Sequence, residues 1–341
     1  MCSAAPAPWP PWPDSPISVC RTSAGWRIFS TGRKGPDGHQ RLFRLKSCKH
    51  KTSLWWRFHV PGFPIVDSHV HIYDPAILSY PWMDKAPSLK SRHMPDVYDR
   101  QRDGVAIDRY VFVEVDVAPV QRVEEARWVD ALADPRLGGL VAAAAIEDGQ
   151  AVRTELDALH AATPKLRGIR RLIQGEAVDF CIRPGFVEGV QLLSEYDLSF
   201  DLCIFHPQFD AAIELVRRCP EIRFVLDHIG KPGIRDGVDQ PWRDQMRALA
   251  ALPNVWCKLS GVVTEADHGG WTRAQIEPYI CHTIDCFGFD RTMFGSDWPV
   301  CELASSYRRW VDTLDAILAD SSEAQLRQLY RDTAIAFYRL G

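Results

Sequence analysis

The sequence contains no run of about 18 apolar residues, and its N-terminus lacks the apolar core of a secretory leader. The pattern therefore predicts neither a membrane span nor an exported chain. None of its ten cysteines stands in CxxC spacing, and several lie in apolar surroundings such as "FDLCIF" and "VWCKLSG". Buried free thiols in a reducing cytoplasm are expected, not a disulfide framework or a zinc–cysteine site. There is no excess of positive charge: the formal net charge is -4, which argues against nucleic acid or an anionic membrane surface as the partner. A small-molecule substrate is the expected partner, and the sequence leaves the oligomeric state open.

Scarcity is most marked in the first sixty residues. They contain no glutamate and only two acids, Asp14 and Asp37, against ten Lys or Arg, yet they hold five of the twelve tryptophans. They open on "PAPWPPWPDSP", which suits neither a helix interior nor a central strand. The remainder is acidic, with thirty basic against forty-two acidic residues. Two parts of opposite charge do not read as one globular unit. Residues 1–60 are read as a disordered extension or as an upstream region outside the natural product. Residues 61–341 are read as the folded domain.

From residue 63 onward, short β-rich runs alternate with helix-like stretches. The strand candidates are 65–70, 109–115, 139–146, 166–173, 199–205, 223–229, 255–261 and 291–297. "PVQRVEEARWVDALA", "PQFDAAIELVRRCP" and "YRRWVDTLDAILA" show helical periodicity between them. Eight strands alternating with helices predict parallel βαβ units, and closure into an α/β (β/α)8 TIM barrel is the economical arrangement. The rival, an open doubly wound sheet, normally carries a glycine-rich phosphate loop after its first strand. "VDSHVHIYDP" has none.

Chemistry in such a barrel gathers at the C-terminal ends of the strands. The first strand ends in His69 and His71. Side chains at i and i+2 of a strand share a face, roughly 6.6 Å apart along the chain, so these two imidazoles can address one metal ion or one polarised atom. The other ends carry Glu114, Glu147, Arg170 or Arg171, His206, His228, Lys258 or Ser260, and Asp297. Each has a plain alternative: His206 as a helix cap, His228 as a core histidine satisfied by Asp227, Asp297 as an N-cap before Pro299. Recurrence of polar groups at so many apolar strand ends favours a site.

"DSHVHIYDP", "GIRRLIQ", "LDHIGKP", "KLSGVVTEA" and "FGSDWPVCELASSY" together resemble the amidohydrolase superfamily, in its branch of metal-dependent TIM-barrel hydrolases with L-fuconolactonase-like and L-rhamnono-lactonase-like members. The resemblance runs from about residue 64 to the C-terminus. It implies that His69, His71, His228 and Asp297 line the site, as catalytic groups and as ligands if a metal is bound. Binuclear relatives place a bridging lysine at the end of strand four. Here "LRGIRRLIQ" supplies Arg170 and Arg171 instead, so one divalent, zinc-like ion or none is expected, and both stay open.

The expected reaction is hydrolysis of a sugar-acid lactone, with Asp297 as general base and the histidines as metal ligands or carbonyl polarisers. Glu114, Arg170, His206 and Lys231 are candidate substrate contacts, since Arg grips carboxylates and Glu accepts from hydroxyls. Trp82 and Trp298 are candidate platforms for a sugar ring. The alternatives are an amidohydrolase-type hydrolase or decarboxylase acting on another small carboxylate, such as a dicarboxylate lactone or an aromatic acid, and a binding module without turnover.

Overall fold

"IVDSHV" forms the first strand, β1 (Ile65–Val70), and all six of its residues are buried. A strand buried on both sides belongs inside a sheet covered on both faces. In the computed structural model, which describes residues 61–341, seven more strands follow: β2 (Ile107–Val113), β3 (Leu137–Ala143), β4 (Leu166–Arg170), β5 (Ser199–Leu202), β6 (Phe224–Leu226), β7 (Val255–Leu259) and β8 (Thr292–Phe294). They lie in one sheet in chain order, with every neighbouring pair parallel. Each strand is followed by a helix: α1 (Pro95–Gln101), α2 (Arg122–Ala131), α3 (Arg153–Ala162), α4 (Pro184–Leu192), α5 (Phe209–Arg218), α6 (Trp242–Ala250), α7 (Arg273–Phe287) and α8 (Tyr307–Ile317). Two short helices, α9 (Glu323–Arg327) and α10 (Thr333–Tyr338), end the chain. The reading of 1–60 as a disordered extension lies outside the described residues.

The helices form for local reasons. Pro95 and Pro184 start α1 and α4 at the position where a missing N–H costs nothing. Ser306 caps α8 by accepting from the Arg309 N–H at 3.1 Å. Tyr307, Trp310, Val311 and Leu314 then form the buried stripe of that helix.

β1 and β8 meet to close the sheet. Val70 bridges Trp298 in parallel sense. The Asp297 N–H donates to the His69 carbonyl at 2.9 Å, and the His71 N–H donates to the Trp298 carbonyl at 2.8 Å. Ser68 Oγ donates to the Phe294 carbonyl at 2.6 Å. β8 leaves the ladder after Phe294, earlier than the expected 297, because its next residues turn to make this seam.

Alternation sends Val66, Val111, Val113, Val141, Val225 and Met293 into one apolar cluster with Ala334, Phe337, Tyr338 and Leu340. α10 thus packs against the strand side chains as a plug. The plug makes a polar contact into the barrel through Tyr338 OH, which reaches Asp201; the strand-end histidines gather at the opposite, C-terminal mouth.

Candidate active site

The seam brings the expected residues together. Asp297 Oδ1 lies 3.7 Å from His69 Nε2 and 3.4 Å from His71 Nε2, and Asp297 Oδ2 lies 4.0 Å from His228 Nδ1. The His69 ring centroid is 4.9 Å from that of His71 and 4.6 Å from that of His228. All four side chains are buried. Backbone geometry places them: Asp297 has φ +60°, and His228, Ile229 and Lys231 have φ +54°, +49° and +48°. Side chains in this left-handed region carry strain of about 1–2 kcal/mol per residue, which persists only where surroundings hold it. The Trp242 indole N–H does so for the "DHIGK" turn, donating to the Ile229 carbonyl at 2.8 Å.

His71 Nδ1 is 2.9 Å from the Val113 carbonyl. A carbonyl only accepts, so Nδ1 carries the proton and the Nε2 lone pair faces Asp297. Two imidazole nitrogens and a carboxylate oxygen with converging electron pairs suit a borderline divalent cation. The described residues contain two such buried groups, His69–His71–Asp297 and His69–Asp227–His228, each with its ligand atoms within 4.8 Å of one another. The expected set of four is therefore split between two overlapping clusters, and Asp227 joins the second.

Beneath the histidines lies a layer of buried charge. Lys258 Nζ is 2.6 Å from Asp201 Oδ2, 3.0 Å from Asp227 Oδ1 and 3.3 Å from His69 Nδ1. Tyr338 OH donates to Asp201 Oδ2 at 2.7 Å. Arg170 donates to Glu114 Oε1 and to the Glu114 carbonyl, both at 2.6 Å, and lies 3.4 Å from Asp227 Oδ2 and 3.3 Å from His69 Nε2. On the other side of β1, Asp67 Oδ2 accepts from Tyr98 and Tyr307, each at 3.0 Å, and Oδ1 accepts from the Ser296 N–H at 2.8 Å.

These surroundings set the protonation states. Burial lowers the His69 imidazole well below its ordinary range; Asp227 opposes this and Lys258 adds to it. Burial brings His228 down to about 4, against the pull of Asp297. Burial pushes the Asp297 carboxyl up, but His228, the His71 hydrogen bond and His69 outweigh it and hold the carboxyl below the usual carboxylate range. Burial likewise opposes the Asp227 carboxylate, and Lys258 and His69 more than offset it. Asp201 is pushed up to about 6 by burial, with Lys258 opposing. At neutral pH an ionised Asp297 thus faces neutral imidazoles at His69 and His228.

The candidate substrate contacts are placed less uniformly. Glu114 and Arg170 are buried and spent on each other, with the second Glu114 oxygen accepting from the Asp116 N–H at 2.6 Å. They shape the site from behind. His206 and Lys231 sit together: His206 Nδ1 is 3.3 Å from the Lys231 carbonyl, and Lys231 Nζ donates to Gln174 and stands over the Phe205 ring. Trp82 is half-buried, its indole N–H on the Val115 carbonyl at 2.7 Å. Trp298 departs from the expectation of a sugar platform. Its backbone pairs with β1, its ring is fully buried against Tyr98 and His93, and its N–H donates to Gln101 at 2.8 Å. It has no exposed face in this structure.

Sequence reasoning passed over Asp201 and Asp227 as site residues and left Lys258 without a role. A signal was there: "SFDLCIF" and "VWCKLSG" each carry a lone charge inside an apolar strand, and "RFVLDHI" places Asp227 directly after one. Gly261 was missed too. At φ +58° it lets the chain pass so close that an added Cβ would lie 2.6 Å from His228 Nδ1 and 3.1 Å from Asp297 Oδ2.

Known proteins share this architecture. An L-fucono-1,5-lactonase of Burkholderia multivorans is 34% identical over 289 residues, covering 81% of this chain and 96% of that protein. An L-rhamnono-gamma-lactonase of Scheffersomyces stipitis is 24% identical over 200 residues, covering 51% of this chain and 59% of that protein. A crystal structure of an amidohydrolase from Burkholderia multivorans with bound zinc superposes with a TM-score of 0.73 at 31% identity, covering 82% of this chain and 100% of its own. The amidohydrolase family model matches residues 66–340, from β1 through α10. Having that barrel and that match over most of its length, the chain belongs to the amidohydrolase family.

Proposed function

We propose that this protein hydrolyses the lactone of a sugar acid, an aldonolactone of the L-fucono or L-rhamnono type. The observation that carries the reading is the convergence of the buried Asp297 carboxylate with His69, His71 and His228 at the barrel mouth. The names of the similar lactonases support the substrate class, which places the reaction in carbohydrate metabolism.

Asp297 is ionised across the neutral range and takes the proton of the attacking water. Its position is fixed by its own N–H on the His69 carbonyl. His228 is held through Nδ1 by Ser260 Oγ at 2.9 Å, and as a neutral imidazole it can donate to the oxyanion that forms at the lactone carbonyl. His69, His71 and Asp297 would hold one divalent ion, and zinc is the choice that their donor set and the zinc-bound relative support. When bound, such an ion polarises the carbonyl and lowers the pKa of water. His206, Lys231 and Trp82 contact the sugar hydroxyls and ring at the rim, while Arg170 and Glu114 keep His69 and Asp227 in place. The unpaired buried thiols Cys181, Cys203, Cys219, Cys257 and Cys301 suit a reducing cytoplasm.

A panel of aldonolactones in weakly buffered pH indicator tests the reading. Ring opening releases acid, and Asp297→Asn should slow it by about 10²–10⁴-fold with the fold intact. No acid release from any lactone of the panel, or full activity of the Asn variant, would sink it.

A further inference from the structure

The two ligand clusters share His69 but differ in what stands among their atoms. Around His69–Asp227–His228, Lys258 Nζ lies 3.0 Å from Asp227 Oδ1 and 3.3 Å from His69 Nδ1. Its third neighbour is Asp201 Oδ2 at 2.6 Å, which Tyr338 also holds. An amine between two carboxylates at such distances is an ammonium, with three donors and no lone pair. Lys258 is wholly buried, and its stem enters from β7, between the strands that carry Asp227 and the β1–β8 seam. Arg170 Nη1 borders both clusters, 3.3 Å from His69 Nε2 and 3.4 Å from Asp227 Oδ2, so it does not distinguish them; Lys258 does, because among the described residues His71 and Asp297 have no lysine partner.

From this difference we propose that Lys258 is an internal cation occupying the His69–Asp227–His228 cluster. It neutralises Asp227, whose Oδ1 also faces the His69 Nδ1–H at 3.4 Å so that the Nε2 electron pair is left toward Asp297, and it excludes a divalent ion from atoms otherwise suited to bind one. The protein then takes a metal ion at His69–His71–Asp297 and no second ion beside it. Removing the ammonium should open the second cluster, because Asp227 and His228 remain. The inference rests on the metal half of the function proposed above and not on the lactone.

The test counts zinc. The full chain, wild type and variants, is incubated with excess Zn²⁺ alone and freed of unbound metal by gel filtration. Zinc per chain is measured by elemental analysis, with circular dichroism to verify the fold. Lys258→Met should bind about one equivalent more than wild type, and Lys258→Met/His228→Asn should lose that equivalent again. Loss of Lys258 leaves Asp201 without its cation and Asp227 with Arg170 alone, at 3.4 Å. If Lys258→Met does not fold, Lys258→Met/Asp201→Asn, which removes one charge of each sign, is counted in its place. A folded variant with no more zinc than wild type overturns the proposal, and so does an added equivalent that survives His228→Asn. Turnover plays no part in the count, so failure here leaves the lactone reading to the substrate panel.

Discussion

At the scale of single residues, the site depends on atoms with little freedom. Gly261 shows this most directly: its φ of +58° and the 2.6 Å that would separate an added Cβ from His228 Nδ1 leave no room for a side chain. Gly261→Ala should push His228 away from Asp297. A misplacement of about 1 Å at reacting groups costs on the order of 10²-fold in rate, so kcat/KM should fall by about that factor. Kinetics beside a thermal melt check it, and a variant within about threefold of wild type would show that the contact relaxes harmlessly. The histidines and Asp297 stand out in the sequence because they end or closely follow apolar strand runs. Lys258 and Asp201 were harder to see, because a charge one step below the strand end is normally excluded from a core, and only the network of partners around it makes it tolerable. Trp298 is the opposite case: an aromatic beside Asp297 suggests a platform, but its backbone pairing with the residues after β1 goes with a ring buried in the interior.

At the scale of elements, the alternation of strand and helix was readable throughout, since parallel strands buried on both faces are continuous apolar runs and the helices between them keep a 3.6-residue period. Each of β2 to β8 ends two or three residues earlier than expected, because ladder pairing, not composition, decides where a strand stops. One interhelical contact makes a separate prediction. Asp315 on α8 accepts from Tyr330 OH at 2.6 Å through Oδ1, while its buried Oδ2 has no partner. Burial pushes this carboxyl up to about 7. The folded state therefore holds the proton that the unfolded chain releases near 4. That raised pKa favours the fold at low pH, and the benefit is lost as pH rises from about 4 through 7. Asp315→Asn keeps the hydrogen bond without the charge. At pH 8 it should be more stable than wild type by about 1–2 kcal/mol, well under the full conversion of about 1.4 kcal/mol per pKa unit because partial solvent access screens the charge. The gain should vanish near pH 4. Urea unfolding at the two pH values measures it, and an equal difference at both would contradict the assignment.

At the scale of the molecule, residues 61–341 contain all eight strands, the plug of α10 and every group of the proposed site. A chain beginning at residue 61 should fold and keep kcat/KM within about twofold, since it carries the whole barrel and its core. Loss of soluble protein or of turnover on truncation would refute this. The charge contrast between the two regions is what suggests a boundary near residue 60, whereas which strands meet at the seam follows only from closure. That seam has a temporal meaning. Asp297 and the imidazoles of His69 and His71 are some 230 positions apart in the chain, and they face each other only once the circle is joined. Ribosome-bound fragments that stop before Trp298 should be inert however well their earlier strands have paired, so enzymatic competence reports that the closing strand has been made.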